Sequence, residues 1–442
     1  MALPDEMAPP VDTTPGNGKA GPETTTGPET MTGPETTTGP ETTTGSAEPL
    51  PYPFGSPPSL YDPAPEYLRL LEQQPVAPVR LPDGRSAWLV TRHADVRRVL
   101  VDPRFSRAAA SGPDAPQVGL VIAGDSIIGM DPPEHTRLRK LVARAFTARR
   151  VEELRPRTAA IVDALLDGLE TRPRPVDLVD RFSLPLPVQV ICELLGVPAD
   201  DRHMFHSWSD TLMSDWRRDP KEVQAASDAL SHYLEGLIAA KRAEPADDLM
   251  TALIDARDSQ DRLSEHELVT LCLGLLIAGH ETTANQINMF LLTLLRHPDD
   301  IARLRADPDA IPQAVEELMR FAQLGDGGAS LPRVTTEEVE LGGVRLPAGS
   351  VVLPALAAAN RDPAVFHQPH RLDLARADNP HMGFGAGVHH CLGAQLARME
   401  LQEALRGLLR RMPGLRLAVP ESALRFKHGM VVRSLEALPI TW

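Results

Sequence analysis

The segment FGAGVHHCLGAQLAR, residues 384–398, is a glycine-rich loop that ends in Cys391 and continues into a helix. Glycines let a backbone take positive φ angles and come close to a flat ligand. A helix N-terminus favours negative charge, so a thiol there is expected to have a lowered pKa. Backbone N–H groups at the same place can point at the sulfur and tune a bound iron. The loop therefore meets the conditions for a single axial thiolate beneath a haem.

Two other interpretations of the loop stay open on these residues alone. An isolated cysteine at a helix start is often a buried, inert side chain. A zinc site is the second alternative, with His381, His389, His390 and Cys391 as its ligands. Structural zinc usually has several cysteines or a regular ligand spacing. Because this loop has neither, the pattern favours haem.

The pattern Phe-x-x-Gly-x-x-x-Cys-x-Gly, filled here by Phe384, Gly387, Cys391 and Gly393, resembles the cysteine signature of the cytochrome P450 family. The resemblance implies haem b, iron protoporphyrin IX, with the Cys391 thiolate as the proximal iron ligand. It also implies that Phe384 packs beside the cysteine and that Gly385 and Gly393 belong to the cofactor-binding loop.

The hexapeptide AGHETT, residues 278–283, lies in the middle of the longest apolar segment, Leu268–His297. Burying a carboxylate and a hydroxyl there is costly unless they are paired or hydrated. An acid–alcohol pair with ordered water can relay the protons that dioxygen needs before its O–O bond breaks. The alternative is structural: Thr282 bonds back to its own helix and Glu281 meets an arginine elsewhere.

The same hexapeptide resembles the oxygen-binding motif of the family. The resemblance places Glu281 and Thr282 at the catalytic acid and alcohol positions, and Ala278 at the cofactor. Gly279 is expected to let the helix loosen locally and make room for dioxygen.

Glu317 and Arg320 form a Glu-x-x-Arg pair on one helical face, which alone is a weak signal because surface ion pairs at this spacing are common. The family resemblance implies a buried structural network that holds the cysteine loop. Its third member is expected to be Arg371, in the element Pro369-His370-Arg371-Leu372, where leucine stands in place of the family's usual phenylalanine.

The segment DPPEHTRLR, residues 131–139, resembles the family's helix that crosses the haem. A haem carries two propionates, and charge-assisted hydrogen bonds from Arg and His suit them. The resemblance assigns these contacts to His135, Arg139, Arg333 and His389. The alternative for each is a solvated surface charge.

Composition excludes several classes of protein. The chain has 442 residues and a formal net charge of −15, which argues against nucleic acid or an anionic membrane as a partner. Three widely spaced cysteines form no disulfide framework and suit a reducing compartment. No apolar run opens the chain, and Leu268–His297 carries polar residues at its centre. We therefore expect a cytoplasmic protein without a membrane span.

Residues 21–44 repeat a GPETTT-like unit, which predicts a disordered tail over residues 1–50. Residues 52–442 are expected to form one large, mainly α domain with small β-sheets, the cytochrome P450 fold. Helical periodicity predicts the helices Pro65–Gln73, His135–Phe146, Val151–Leu169, Leu186–Leu195, Lys221–Arg242 and Leu268–His297. Turn signals and β-branched runs predict the strands Val79–Leu81, Ala87–Thr91, Val339–Leu341, Val344–Leu346 and Val351–Leu353.

The family resemblance implies a monooxygenase that inserts one atom of dioxygen into a C–H bond or an alkene. Its electrons are expected from NAD(P)H through a ferredoxin and a ferredoxin reductase, because no flavin, nicotinamide or iron–sulfur motif is visible. An acidic ferredoxin is expected to dock on a basic face near the cysteine, formed by Arg137, Lys140, Arg144 and Arg398.

The substrate is expected to be a bulky, apolar small molecule such as a polyketide or macrolide. By resemblance its pocket draws on Arg107–Ile128, Met204–Trp216, Ala278–Thr282, Leu324–Ala329 and Met430-Val431. In the second of these ranges, apolar residues such as Phe205, Trp208 and Trp216 predict a hydrophobic wall, and Asp326 is a possible polar contact. The rival functions are a peroxide-dependent or rearranging haem-thiolate enzyme and a non-catalytic haem sensor. Retention of Glu281 and Thr282 argues against both.

Overall fold

Helices form wherever the sequence carries apolar residues at helical spacing between clear start and stop signals. The computed structural model describes residues 48–55, 62–111, 115–116, 118, 124–201, 204, 208, 210–214, 218–258, 262–322, 324–325 and 331–442. Numbered in chain order, the α-helices of these residues are α1 Pro65–Gln73, α2 His93–Val101, α3 Glu134–Val142, α4 Ala148–Glu170, α5 Pro185–Leu195, α6 Pro220–Ala243, α7 Leu249–Asp258, α8 Glu265–Leu295, α9 Pro298–Ala306, α10 Ile311–Phe321, α11 Leu356–Ala359 and α12 Ala394–Arg411.

The strands are short, and they form three sheets. They are β1 Leu50–Pro51, β2 Val76–Arg80, β3 Ser86–Val90, β4 Phe105–Ser106, β5 Val176–Asp177, β6 Arg333–Thr335, β7 Val339–Leu341, β8 Val344–Leu346, β9 Val351–Pro354, β10 Arg416–Leu417 and β11 Pro439–Thr441. The largest sheet has the order β1-β2-β3-β9-β6-β4, and the others are β10-β11-β5 and β7-β8.

The predicted fold class is confirmed: the chain is mainly helical with small sheets. Each helix predicted from periodicity is present, with its ends displaced by a few residues at most. The predicted strands are present too, and β2 and β3 form the expected antiparallel hairpin. Its turn contains Gly84, whose positive φ of 83° is accessible to glycine at little cost.

Helix α8 occupies the centre of the main hydrophobic core. Ser264 starts it through a capping box: its hydroxyl accepts from the N–H of Glu267 at 3.1 Å, and the Glu267 carboxylate accepts from the N–H of Ser264 at 2.7 Å. Leu276 and Phe290 are fully buried on it. Among the described residues, no helix is both long and apolar enough to cross a membrane.

Helix α8 is assigned as one helix from Glu265 to Leu295, and the local loosening expected at Gly279 stays a prediction. A Cβ at Gly279 would lie 2.9 Å from side-chain atoms of Ile191 on α5. The missing side chain therefore allows close packing of these two helices.

The largest sheet also brings together two distant segments that matter for the site. Strand β6 pairs antiparallel with both β9 and β4, with Ser106 opposite Val334. One step further along each strand, Arg107 comes opposite Arg333. Residues 49–442 form one compact unit, whereas residues 1–47 lie outside the described part of the chain, so the tail stays a prediction.

Candidate active site

The cysteine loop is closed by backbone hydrogen bonds. The N–H of Cys391 donates to the carbonyl of Phe384 at 2.9 Å, and that of His390 donates to Gly387 at 3.0 Å. Gly385 and Gly387 have φ values of 70° and 73°, the left-handed region that favours glycine. These bonds and turns place Cys391 three residues before the first residue of α12.

The Cys391 thiol lies in a mixed electrostatic environment. Its side chain is exposed, but the surrounding protein atoms still disfavour the thiolate and raise its pKa. The N–H of Gly393, which donates to the sulfur, and the nearby Arg139 and Arg398 act in the opposite direction. The helix start therefore acts to lower the thiol pKa as expected, but in the chain by itself burial outweighs it. Coordination to a metal ion would deprotonate such a thiol outright.

Phe384 packs beside the loop as expected. The Arg398 guanidinium lies over its ring, 4.4 Å from the centroid. Arg398 also donates to Glu316 at 2.7 and 2.9 Å, and His381 approaches the same carboxylate at 3.0 Å. Burial alone would raise the pKa of Glu316, but the hydrogen bonds from His381 and Arg398 lower it to about 2.

This arrangement argues against the zinc alternative. Both ring nitrogens of His381 already have partners. One lies 3.0 Å from the Glu316 carboxylate, and the other accepts from the N–H of Gly383 at 3.1 Å. Within the described ranges, no group of three or more His, Cys, Asp or Glu side chains is placed to hold a metal ion.

A cluster of buried cationic and imidazole groups lies next to the loop. The rings of His135 and His389 are 4.3 Å apart. Arg333 is 3% exposed, and its guanidinium donates to the carbonyls of Leu331 and Pro332 at 3.0 and 3.2 Å. Burial, and then the charge of Arg107, lower the pKa of Arg333 to about 9.

His389 is affected by the same crowding. Burial, followed by the charge of Arg333, lowers its pKa to about 3. Two ring nitrogens of the cluster, Nδ1 of His135 and Nε2 of His389, are buried without a hydrogen-bond partner in the described structure. A buried donor left unpaired is costly. The cluster therefore has the donor set and the excess positive charge that a dianionic ligand, such as the two propionates of haem, would satisfy.

Arg139 is placed differently from the rest of this predicted set. Its guanidinium donates to the carbonyl of His390 and lies close enough to Cys391 for their charges to interact. The structure therefore brings it to the cysteine loop, where its charge acts on both Cys391 and His135.

The acid and alcohol predicted on α8 make defined contacts. Glu281 is fully buried, and its Oε1 accepts from Asn285 at 2.9 Å and from the Ser434 hydroxyl at 3.3 Å. Its Oε2 is buried without a hydrogen-bond partner in the described structure, and no arginine bonds it there. Thr282 donates to the carbonyl of Ala278 at 2.9 Å, so the predicted back-bond is present. The lone pairs of that hydroxyl can still accept from water or ligand.

Comparison with known proteins identifies the family of this chain. The family model described as cytochrome P450 matches residues 188–413. Nocardicin C N-oxygenase from Nocardia uniformis subsp. tsuyamanensis is 52% identical over 88% of this chain and 98% of its own. The chain belongs to the cytochrome P450 family.

Other relatives agree over the same extent. Mycinamicin IV hydroxylase/epoxidase from Micromonospora griseorubida is 48% identical over 90% of this chain and 100% of its own. The solved structure of the LnmA cytochrome P450 hydroxylase, from the leinamycin pathway of Streptomyces atroolivaceus, superposes with a TM-score of 0.82 and 46% identity, over 89% of this chain and all of that one. This P450 is a haem-thiolate monooxygenase, and its family uses redox partners to deliver electrons from NAD(P)H.

The Glu-x-x-Arg pair of the P450 is buried as expected, but its predicted third member is wrong. Arg320 donates to Glu317 at 2.7 and 2.8 Å, and both side chains are fully buried. Arg376, not Arg371, completes the pair by donating to Glu317 at 3.0 Å. The side chain of Arg371 is exposed and its guanidinium is 3.3 Å from Gln368, while its backbone carbonyl accepts from Arg320 at 3.2 Å.

The physical reason is the course of the backbone. The carbonyls of Pro369 and Arg371 face the Arg320 guanidinium, which turns the Arg371 side chain outward. The chain then returns, and the N–H of Asp373 donates to Glu317 at 3.0 Å before Arg376 reaches the carboxylate. The motif located the right segment but not the right side chain.

Three further residues of the P450 site were missed by sequence reasoning. Arg107 lies beside the cationic cluster, and Asn285 and Ser434 hold the carboxylate of Glu281. The spacing of Asn285 four residues after Glu281 is a usable signal, because i,i+4 side chains meet on a helix. Arg107 and Ser434 are far from their partners in sequence, and no local pattern marks them.

The predicted basic face is smaller than expected. Arg137 is paired with Glu267, and Arg398 with Glu316. Lys140 and Arg144 are exposed, and neither forms an ion pair in the described part of the P450. Among the predicted wall residues, Phe205, Trp216 and Asp326 lie outside the described residues.

Proposed function

We propose that this P450 hydroxylates or epoxidises a bulky apolar secondary metabolite, such as a polyketide or macrolide, at a haem whose iron is bound by Cys391. The observation that carries the proposal is the pairing of a thiol that accepts the Gly393 N–H with a neighbouring cluster of unsatisfied donors. The thiol suits an iron, and the donors suit the carboxylates of the same ligand.

The residues that would hold the cofactor fall into three groups. Cys391 would bind the iron through its thiolate, and Phe384, Gly385 and Gly393 belong to the same loop. The propionates would bind His135, Arg139, Arg333 and His389. Ala278 on α8 would also contact the cofactor. When bound, the haem supplies dioxygen binding and, with two external electrons, cleavage of the O–O bond.

The chain's own contribution to that cleavage is proton delivery. Glu281 is a carboxylate whose position is set by Asn285 and Ser434, which leaves Oε2 to hold or release a proton. The Thr282 oxygen can accept a hydrogen bond from water while its own O–H donates to the Ala278 carbonyl. A carboxyl, a water and a hydroxyl in this order form a proton relay from the protein interior.

The proposed substrate class is supported by the composition of the described wall and by the relatives. Met213 is buried, and its carbonyl accepts from the N–H of Val431 at 3.2 Å. A further bridge joins Ser214 to Met430. Two separate segments thus form one mainly apolar surface. Among the relatives named above, the mycinamicin IV hydroxylase/epoxidase supports a hydroxylation or epoxidation of this kind.

The first experiment is the reduced, carbon monoxide-treated spectrum of the purified full-length protein. A strongly red-shifted Soret band is expected, and Cys391→Ser is expected to abolish it. A histidine-type band, or an unchanged band in the variant, would contradict the assignment of Cys391. Cys272, which is fully buried in the core, provides the matched control Cys272→Ser, which should keep the band.

The second experiment separates the rival functions. Mycinamicin IV and nocardicin C serve as probes, followed by spin-state titration and turnover with a ferredoxin, its reductase and NADPH. A product heavier by one oxygen, formed only with both proteins and dioxygen, is expected. Equal turnover with peroxide alone favours the peroxide-dependent alternative. Ligand-dependent spectra without any product favour the sensor.

We further propose that the ferredoxin docks beside the cysteine loop, on a docking face formed by Val101, Val388, Lys140 and Arg144. Val388 and Val101 are 47% and 43% exposed. They are adjacent, because a Cβ on Gly387 would lie 3.1 Å from the Cα of Val101. Lys140 follows Arg139, which donates to the carbonyl of His390 in the same loop. Exposed apolar side chains together with nearby cations fit an acidic partner.

The double variant Lys140→Glu/Arg144→Glu is expected to slow the first electron transfer about tenfold at low salt, because steering by charge raises association rates by that order. Stopped-flow reduction by ferredoxin provides the measurement. The matched control is Arg137→Gln, since Arg137 is already neutralised by Glu267. Equal rates in the double variant and the parent would place the docking face elsewhere.

A further inference from the structure

Arg107 is a buried arginine that the proposed cofactor contacts leave unexplained. It follows β4, and the antiparallel pairing of β4 with β6 puts it opposite Arg333. Its side chain is 1% exposed. A guanidinium is rarely buried unless a negative group or several acceptors surround it.

Only part of the guanidinium is satisfied by the chain. Nε donates to the carbonyl of Ile128 at 3.2 Å, and Nη1 donates to the carbonyl of Pro332 at 2.5 Å. Nη2 is buried and has no hydrogen-bond partner in the described structure. The bonds of Nε and Nη1 therefore fix the plane of the guanidinium, and Nη2 has no acceptor among the described residues.

The surrounding charges favour an anion as the acceptor for this Nη2 donor. Arg107 interacts electrostatically with His389, as Arg333 and His135 do. Within the described residues, Asp131 is the carboxylate that favours the charged form of both arginines. Its oxygens already accept from the Ser106 hydroxyl and from the N–H groups of Arg107 and Ala108.

The balance of charge in this region is therefore positive. Burial lowers the pKa of Arg107 to about 10, against the opposing effect of Asp131. Two neighbouring buried guanidiniums with one shared carboxylate leave a net cation in a dry site, which is unfavourable unless a ligand brings negative charge.

We propose that Nη2 of Arg107 donates to a carboxylate of the bound cofactor, the propionate that Arg333 and His389 also approach. The inference rests on the proposed function, because it needs haem in the site. Arg107 begins the segment of residues 107–128 expected to border the substrate, and its Nε is bonded to Ile128 at the other end. Arg107 would therefore act as a positioning residue, holding Ile128 through Nε and the cofactor's carboxylate through Nη2.

A carboxylate on the substrate is the other source of the same chemistry. The site favours the propionate because Arg107 shares its surroundings with Arg333 and His389, which are expected to bind the cofactor. The test therefore compares haem that has free propionates with haem whose propionates are esterified.

The experiment measures the rate at which haem leaves the full-length holoprotein for an excess of apomyoglobin. Parent and Arg107→Gln are each loaded with native haem and with haem whose two propionates are methyl esters. Arg107→Gln should accelerate loss of native haem about tenfold, equivalent to about 1.4 kcal/mol, the order of one charge-assisted hydrogen bond. With the diester the same substitution should change the rate less than about twofold.

The matched control is Arg104→Gln, three residues earlier. Arg104 is more exposed and is bound to Asp102 at 2.6 Å, so both haems should leave at the parent's rate. If Arg107→Gln does not fold by circular dichroism, Arg107→Lys replaces it. Lysine keeps the positive charge but lacks the planar set of N–H donors of a guanidinium. It should therefore accelerate the loss of native haem about threefold and leave the loss of the diester unchanged.

Equal acceleration for both haems would overturn the proposal, since Arg107 would then only clamp the Ile128 and Pro332 carbonyls. An unchanged rate with native haem, together with weaker binding of an acidic substrate probe, would assign the arginine to the substrate and also overturn it. Failure of the proposed function has a different signature, because the parent would then lack the thiolate-type carbon monoxide band.

Discussion

Replacing Arg376 by alanine is expected to destabilise the protein by about 2–3 kcal/mol, whereas replacing Arg371 should cost less than about 0.5 kcal/mol. Arg376 is 8% exposed and donates to the fully buried Glu317 at 3.0 Å. A second bond from Arg376 to the carbonyl of His367, at 2.9 Å, is lost as well. The loss stays below the cost of a wholly unpaired buried charge because Arg320 remains bound to Glu317.

The two arginines form a matched pair, because they lie five residues apart and carry the same charge. The Arg371 side chain contacts Gln368 at 3.3 Å, and its structural contribution is a backbone carbonyl that alanine keeps. The assay is equilibrium unfolding in urea, followed by far-UV circular dichroism and by the Soret band. The midpoint should fall for Arg376→Ala and stay near the parent's for Arg371→Ala. Equal losses in the two variants would refute this account of the network.

Three further outcomes follow from the site. Gly387→Ala should reduce the fraction of protein with the thiolate-type carbon monoxide band, because its Cβ would lie 2.4 Å from a backbone oxygen at a φ of 73°; a full band would contradict the loop geometry. Ser434→Ala should lower the amount of product formed per NADPH consumed, because Glu281 loses a hydrogen bond; unchanged coupling would remove Ser434 from the relay. The pKa of Glu316 is lowered from 4.5 to about 2, so its contribution to stability is present above pH 4.5 and lost as the pH falls towards 2. Glu316→Gln should make the free energy of unfolding less dependent on pH over that window. A parent-like pH dependence of its urea midpoint would refute a stabilising role for the contacts of Glu316 with His381 and Arg398.

The cysteine loop and the helices were predictable because their signals are local. Positive φ at Gly385 and Gly387, a thiol before a helix, and apolar residues at helical spacing each depend on neighbours a few positions away. The same holds for the hydrogen bond between Glu281 and Asn285, although its spacing was not used.

Predictions failed where the outcome depends on long-range packing. The pKa of the Cys391 thiol is raised by the protein atoms packed around it, which outweigh the effect of the helix start. Arg137 and Arg398 looked like a free basic face, but each meets a carboxylate from a distant segment.

The family, the fold class and the identity of the loop were set by short patterns, since these record backbone conformation and local charge. Which arginine reaches Glu317, which donors crowd around His389, and what holds Glu281 were decided only by the tertiary structure. Arg376, Arg107 and Ser434 lie 59, 282 and 153 residues from the partners they meet. A side chain's direction at such separations depends on how the backbone between them folds, and no local pattern carries that information.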